Sequence, residues 1–314
     1  MAHTFLDPGC PINGTAYFRR SFNLTEVPKK AFLRLSALGI YRAYLNGESL
    51  TEEIFLPGRT SYKYRVQEQE YEVSRFLRKG DNLLCVQLNQ GWYKQNPALY
   101  CAFDGVFSGS EGWKVCCDGP LAFADMMLGE IYDARKEHDW LSASFDDSAW
   151  AVPAEITYDG ELIPHEGEKM LEKERFSPKI LRTPDGATVL DFGQNIAGYV
   201  EFSVTGKAGH TIKMVYGEVL DENGNFTQAN LGFTKSKKIQ YTLKDGAQTY
   251  KPQASVHGFQ YVKLENWPEP VRPENFTAIA VYSDLKQVGS FSCSNEKVNR
   301  LVSNIRWSTK GNFL

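Results

Sequence analysis

Long apolar runs are missing from this 314-residue chain: nothing approaches the roughly 18 residues needed to span a bilayer. The opening segment MAHTFLDP also lacks the basic stretch followed by an apolar one that marks an export leader. No membrane partner is expected. An excess of positive charge is missing as well, because 35 Lys and Arg face 38 Asp and Glu for a formal charge of −3. That excludes the basic field on which nucleic-acid binding depends. Cysteines are sparse: Cys10, Cys85, Cys101, Cys116, Cys117 and Cys293 are too few for a disulfide framework in a chain of this length, so thiols are expected. No CxxC pair or spaced histidine pair supplies four zinc ligands. Unpaired cysteines and the absence of a leader favour the cytoplasm over secretion.

Catalytic motifs are equally scarce. The chain has no glycine-rich phosphate loop, no G-x-S-x-G elbow and no H-E-x-x-H, which leaves nucleotide, serine-hydrolase and zinc-protease chemistry without a motif. Its five histidines are scattered singly, and His257, at the edge of the strand-like VHGFQYV, reads as structural rather than as a general base. Asp146 and Asp147, in the turn-like SFDDSAW, read as turn or capping residues. Asp221, Asn223 and Asn225 imitate the start of a calcium loop, but Phe226 stands where glycine is needed and Gly232 where glutamate is needed, so a tight hairpin is expected. Calcium is a weak prospect, and no other cofactor is implied.

What the sequence does hold is period-two alternation, sustained to about residue 285 with little helical periodicity. An all-β body follows, in about two units at roughly 150 residues each. Residues 31–45 alternate around Gly39 and run into Asn46-Gly47, a strong hairpin signal. A second hairpin is expected where residues 239–243 and 248–250 flank Asp245-Gly246. Further strands are expected over 82–88, 198–204, 210–216, 259–265 and 277–282. Charge, Pro and Gly replace alternation over 151–177, placing a boundary there. Beyond residue 290 the pattern changes: Val298, Leu301, Val302 and Ile305 fall at i, i+3, i+4 and i+7, with Ser294 suited to cap and Gly311 to close one amphipathic helix. A helix that ends this near the last residue suggests that the chain is cut short.

Abundant Tyr, Trp, Asn, Asp and Arg on a β scaffold suit carbohydrate, since rings stack on sugar faces and planar polar groups fork to hydroxyl pairs. Several blocks carry a more specific signal: AYFRRSF (16–22), SALGIYRAYLNG (36–47), LPG (56–58) followed by Tyr62 and RVQ (65–67), QGWY (90–93) and GEIYDAR (129–135) in the first half. DFGQNIAG (191–198), YGEVLDENG (216–224), HGFQYV (257–262) and FSCSN (291–295) follow in the second. In order and spacing the chain resembles the non-catalytic N-terminal half of bacterial α-L-rhamnosidases, glycoside hydrolases that release terminal L-rhamnose. Between Trp92 and Gly129 it is shorter than the usual family pattern, with residues 100–109 compressing a longer strand pair.

The resemblance implies two β-sandwich domains: a galactose-binding-like jelly roll over 1–177 and a concanavalin-like sandwich over 178–290. Residues 291–314 would be a linker helix leading into an (α/α)6 barrel that bears the catalytic acids. That barrel, the chain's expected partner, lies outside the sequence, so no residue here is assigned to the general acid or to the water-activating base of an inverting hydrolysis, and the chain alone is expected to be inactive. Two readings stand side by side. In one, the chain is an ancillary region that supports the barrel and extends contact to rhamnosyl glycans. In the other, it is a stand-alone lectin-like module with a site at Trp92, Tyr132, Asp133 and Arg135. Against that site, Arg135 and a nearby carboxylate can satisfy one another within the GEIYDAR strand.

Overall fold

The computed structural model describes residues 2–234 and 237–313; Met1 and Leu314, which end two of the segments read above, lie outside them. The chain divides into two compact units, Met1–Asp125 with Lys136–Gly167, and Met126–Arg135 with Glu168–Leu314. Strands dominate both, as the alternation predicts.

Two sheets form the first unit. One runs in the order Ala154–Tyr158, His3–Asp7, Ala98–Phe103, Phe32–Leu38, Arg65–Glu72 and Glu161–Pro164; the other in the order Trp113–Cys116, Thr15–Leu24, Gly80–Asn89, Ile40–Leu45 and Glu48–Ser49. Phe18, Leu33, Leu35, Leu84, Val86, Leu88, Leu99 and Trp113 meet in one core, all nearly free of solvent contact. Each such side chain stabilises the fold by about 1.5–3 kcal/mol relative to an exposed one. Gly39 is where the chain passes from one sheet to the other. Its φ is 141°, and a Cβ there would lie 2.4 Å from the Asn89 carbonyl oxygen, so a side chain would force the two strands apart. Asn46 (φ 54°) and Gly47 (φ 87°) form the expected hairpin, with Leu45 opposite Glu48. The Asn46 side chain also braces the neighbouring edge by donating to Phe76 O and accepting from Leu83 N.

The expectation that all six cysteines are thiols is corrected: Cys10 and Cys117 are bridged, with Cα atoms 5.4 Å apart and 107 positions apart in sequence. Strand pairing explains the approach. Cys116 sits opposite Tyr17, so the next residue lands beside the segment that leads into Thr15–Leu24. The bridge removes the cysteine argument for a reducing compartment. Cys85, Cys101, Cys116 and Cys293 are free. Burial raises the pKa of both inner thiols, pushing Cys85 to about 12.

The second unit is built on one curled sheet. Its order is Gly129–Asp133, Lys238–Thr242, Thr211–Gly217, His257–Glu265, Thr188–Gly206, Phe276–Ser283 and Met170–Phe176. The 19-residue strand Thr188–Gly206 changes partners along its length. Its first part pairs with Lys179–Arg182 and His257–Glu265, its last part with Phe276–Ser283 and Gly246–Tyr250. The register shifts between Asp191 and Ile196, where Asp191 Oδ1 accepts from Gly193 N and from Gln260 Nε2 and so braces a bulge. The expected second hairpin does not form. Gly246 turns at φ 90°, but Lys238–Thr242 pairs with Thr211–Gly217, whereas Gly246–Tyr250 pairs with the long strand. Gln248 holds this corner by donating to Lys244 O and accepting from Tyr241 OH. At the calcium-like segment, Asp221 Oδ1 accepts from the amides of Asn223 and Asn225, and Leu220 bridges Phe226.

An α-helix spans Glu296–Asn312. Asn295, not Ser294, is its cap, accepting from Lys297 N at 3.0 Å, and Gly311 lies inside the last turn rather than beyond it.

Candidate functional site

Within the GEIYDAR block, the strand Gly129–Asp133 lies parallel to Lys238–Thr242 and alternates in the manner of a half-buried strand: Glu130 and Tyr132 point inward, Ile131 and Asp133 outward. Tyr132 is 6% exposed, stacked on Tyr241 with 5.5 Å between centroids and 4.4 Å from Tyr250. Asp133 takes a two-point pair from Arg135, Nε to Oδ1 at 2.9 Å and Nη2 to Oδ2 at 2.7 Å, and its Oδ1 also accepts Arg135 N. The local pairing therefore exists, and it engages both charged members of the expected set of four with each other.

Sequence reasoning passed over the most enclosed group of the block. Glu130 is 1% exposed and accepts from Tyr250 OH at 2.5 Å, Ala254 N at 2.6 Å, Gln253 N at 2.9 Å and Ser255 OH at 2.9 Å. Burial pushes its pKa up, and the same hydrogen bonds pull against that shift. A carboxylate so fully engaged fixes the 253–255 segment against the sheet. The signal was there: in a strand with Tyr132 facing inward, the residue two positions earlier shares its face.

Trp92 belongs to the first unit, half-buried just past the strand Gly80–Asn89, with the Arg59 guanidinium 5.3 Å over its ring. Tyr93 beside it packs edge-on to Tyr62 at 5.1 Å, and burial pushes the Tyr62 phenol to about 12. Here an indole, two phenols and a guanidinium lie close together. Asp146 caps Ser148 N, as a turn residue does, while Asp147 pairs at 2.7 Å with Arg19, a buried cation that also donates to the carbonyls of Trp140 and Ser142. His257 is 2% exposed, with its ring 4.6 Å from that of Tyr216. Among the described residues no group of three His, Cys, Asp or Glu is placed to hold a metal ion.

The helix Glu296–Asn312 packs on the strands Thr188–Gly206 and Phe276–Ser283 of its own unit. Trp307 meets Phe176 edge-on at 5.7 Å, the Lys310 ammonium pairs with Glu174 and lies 4.3 Å over the Trp307 ring, and Ser283 N donates to Phe313 O at 2.9 Å. The predicted apolar stripe docks only in part: Val298 and Val302 are half-buried, whereas Leu301 and Ile305 remain 56% and 55% exposed, and no residue of the helix is fully buried.

The α-L-rhamnosidase N-terminal domain matches residues 26–101 and 104–174, the bacterial α-L-rhamnosidase concanavalin-like domain residues 181–282, and the bacterial α-L-rhamnosidase 6 hairpin glycosidase domain residues 286–314. The chain belongs to the bacterial α-L-rhamnosidase family. An α-L-rhamnosidase of Streptomyces avermitilis is 33% identical over 91% of this chain, which covers 30% of that relative, and one of Formosa agariphila is 29% identical over 96%, covering 35%. The solved structure of the Streptomyces avermitilis rhamnosidase complexed with L-rhamnose matches 96% of the chain at a TM-score of 0.89 and 31% identity, with 32% of its own length covered. That of the Dictyoglumus thermophilum rhamnosidase matches 100% at 0.91 and 29%, with 38% covered. The chain thus spans about a third of the length of the curated rhamnosidases it matches. Its final helix falls in the stretch matched by the glycosidase domain.

Proposed function

We propose that this chain serves as the ancillary β region of a longer α-L-rhamnosidase, carrying a helical catalytic domain on its C-terminal helix. One observation supports this above the others. The helix that begins the glycosidase-domain match is anchored to the sheet through Trp307 and Lys310 and turns Leu301 and Ile305 outward, an apolar stripe suited to a neighbouring helix. The general acid and base of the hydrolysis would come from that neighbour. The chain alone is expected to release no nitrophenol from an aryl α-L-rhamnoside. Fusion to the remaining two thirds of the Streptomyces avermitilis relative is expected to give hydrolysis, and Leu301→Asp with Ile305→Asp to abolish it while the β units keep their circular dichroism. Hydrolysis by the isolated chain would overturn the proposal.

The finer part of this reading is contact with rhamnosyl glycans. The patch at Trp92 supports it, because an indole flanked by Arg59 and Tyr93 offers a stacking face beside a hydrogen-bond donor. Tyr132 is enclosed, and Asp133 and Arg135 occupy one another, so Trp92 is the member of the expected set that carries the proposal. Calorimetric titration with L-rhamnose, with and without calcium, on the chain and its Trp92→Ala variant tests it; no heat at millimolar sugar would remove it.

A further inference from the structure

The C-terminal helix borders a cleft on its own sheet with polar residues. Along one side it presents Asn304, Trp307, Ser308, Gly311 and Asn312, positions spaced i, i+3, i+4, i+7 and i+8, of which Trp307 and Gly311 are half-buried. Between this polar face and the bulge of the strand Thr188–Gly206 lies a cleft of about 480 Å³, within the size range of small-molecule sites.

The cleft is lined by Gln194 and Asn195 from the bulge, by Glu218, and by Asn304, Trp307 and Ser308 from the helix. Asp191 fixes the bulge through Gly193 N and Gln260, so Gln194 and Asn195 sit on a braced turn, not a loose loop. Gly258 borders the cleft as well. A Cβ there would come 3.0 Å from Glu218 Oε1, and its absence leaves the carboxylate room. Asn230 donates to the other oxygen of Glu218 at 3.4 Å.

We propose that this cleft is a binding site for a neutral sugar residue, separate from the patch at Trp92. The chemistry of the lining selects that class. Carboxamides, a hydroxyl and a carboxylate form paired hydrogen bonds with vicinal hydroxyls, and the Trp307 indole, one face of which lies under the Lys310 ammonium, supplies the apolar surface beside them. Glu218 is the charged group in this lining, which disfavours anionic ligands such as phosphates or uronates. The site is made jointly by the concanavalin-like sheet and by the first helix of the glycosidase match, so an occupant would fasten that helix to its sheet.

The test is tryptophan fluorescence of the full chain titrated with methyl α-L-rhamnoside, with D-glucose and sodium phosphate as comparison ligands. A saturable emission change with the rhamnoside is expected. It should vanish in Trp307→Phe, weaken about tenfold in Asn304→Ala and Glu218→Gln, and persist in Trp92→Ala, with unchanged circular dichroism in all four variants. Absence of a saturable change would overturn the proposal, and so would a response that Asn304→Ala and Glu218→Gln leave untouched. Loss of the response in Trp92→Ala alone would assign the sugar to the other patch.

Discussion

Glu130 gathers Tyr250 OH, Gln253 N, Ala254 N and Ser255 OH onto two carboxylate oxygens in a site that excludes water. Removing it leaves those donors to be buried unsatisfied, each at roughly 1–3 kcal/mol. Glu130→Ala is therefore expected to lower the stability of the second unit by about 3 kcal/mol or more, read as a shifted urea midpoint, with Glu130→Gln falling between it and the parent chain. An unchanged midpoint would contradict the bracing role. At this scale, what sequence reveals depends on distance along the chain. The pairing of Asp133 with Arg135 is two residues apart and legible from the GEIYDAR text, whereas the partners of Glu130 lie more than a hundred residues on and no spacing rule reaches them. Asp147 shows the same limit: its text announces a turn, and its ion pair with Arg19 comes from a strand at the other end of the unit.

The C-terminal helix was legible as an element, its periodicity and polar cap marking the span to within a residue or two, but which face would dock was not. Trp307 and Lys310 dock ahead of Leu301 and Ile305 because Glu174, Tyr282 and Phe176 wait on the sheet, a fact of tertiary structure. Burial pushes the Glu174 carboxyl up, yet the Lys310 ammonium and the Tyr282 hydroxyl more than reverse this and leave its pKa below the ordinary value. An acid depressed in the folded state contributes stability that is present above its unfolded pKa and fades as pH falls through the folded one. Helix docking should thus loosen below the usual carboxylate range, about pH 4. The expected readout is a Trp307 emission change on acidification that Glu174→Gln removes; the same acid transition in that variant would place the cause elsewhere. The Asp245-Gly246 turn carries the matching lesson for strands. Both strands and the turn were read correctly, but their pairing was not, since the long strand Thr188–Gly206 offers the second of them a better partner than its neighbour in sequence.

Across the whole molecule, the all-β character and the two units follow from alternation and length, but the path of the chain between the units does not. The ten residues 126–135 belong with the second unit although the first resumes after them. Long-range closure also sets the worth of the Cys10–Cys117 bridge, which ties off 107 residues. By the chain-entropy relation such a loop is worth about 4–5 kcal/mol. Cys10→Ser should cost the first unit an amount of that order in urea, and alkylation of the unfolded, unreduced chain should modify Cys85, Cys101, Cys116 and Cys293 alone. Modification of all six would show that the bridge does not form. The interleaved path has a consequence for synthesis. The strand Gly129–Asp133 leaves the ribosome long before its parallel partner Lys238–Thr242, a gap of roughly 5–20 s at ordinary elongation rates. Through that interval Tyr132 and the carboxylate of Glu130 wait in water for the 253–255 segment. The nascent chain thus carries this strand without its parallel partner, and its charge keeps it soluble until the second sheet arrives to claim it.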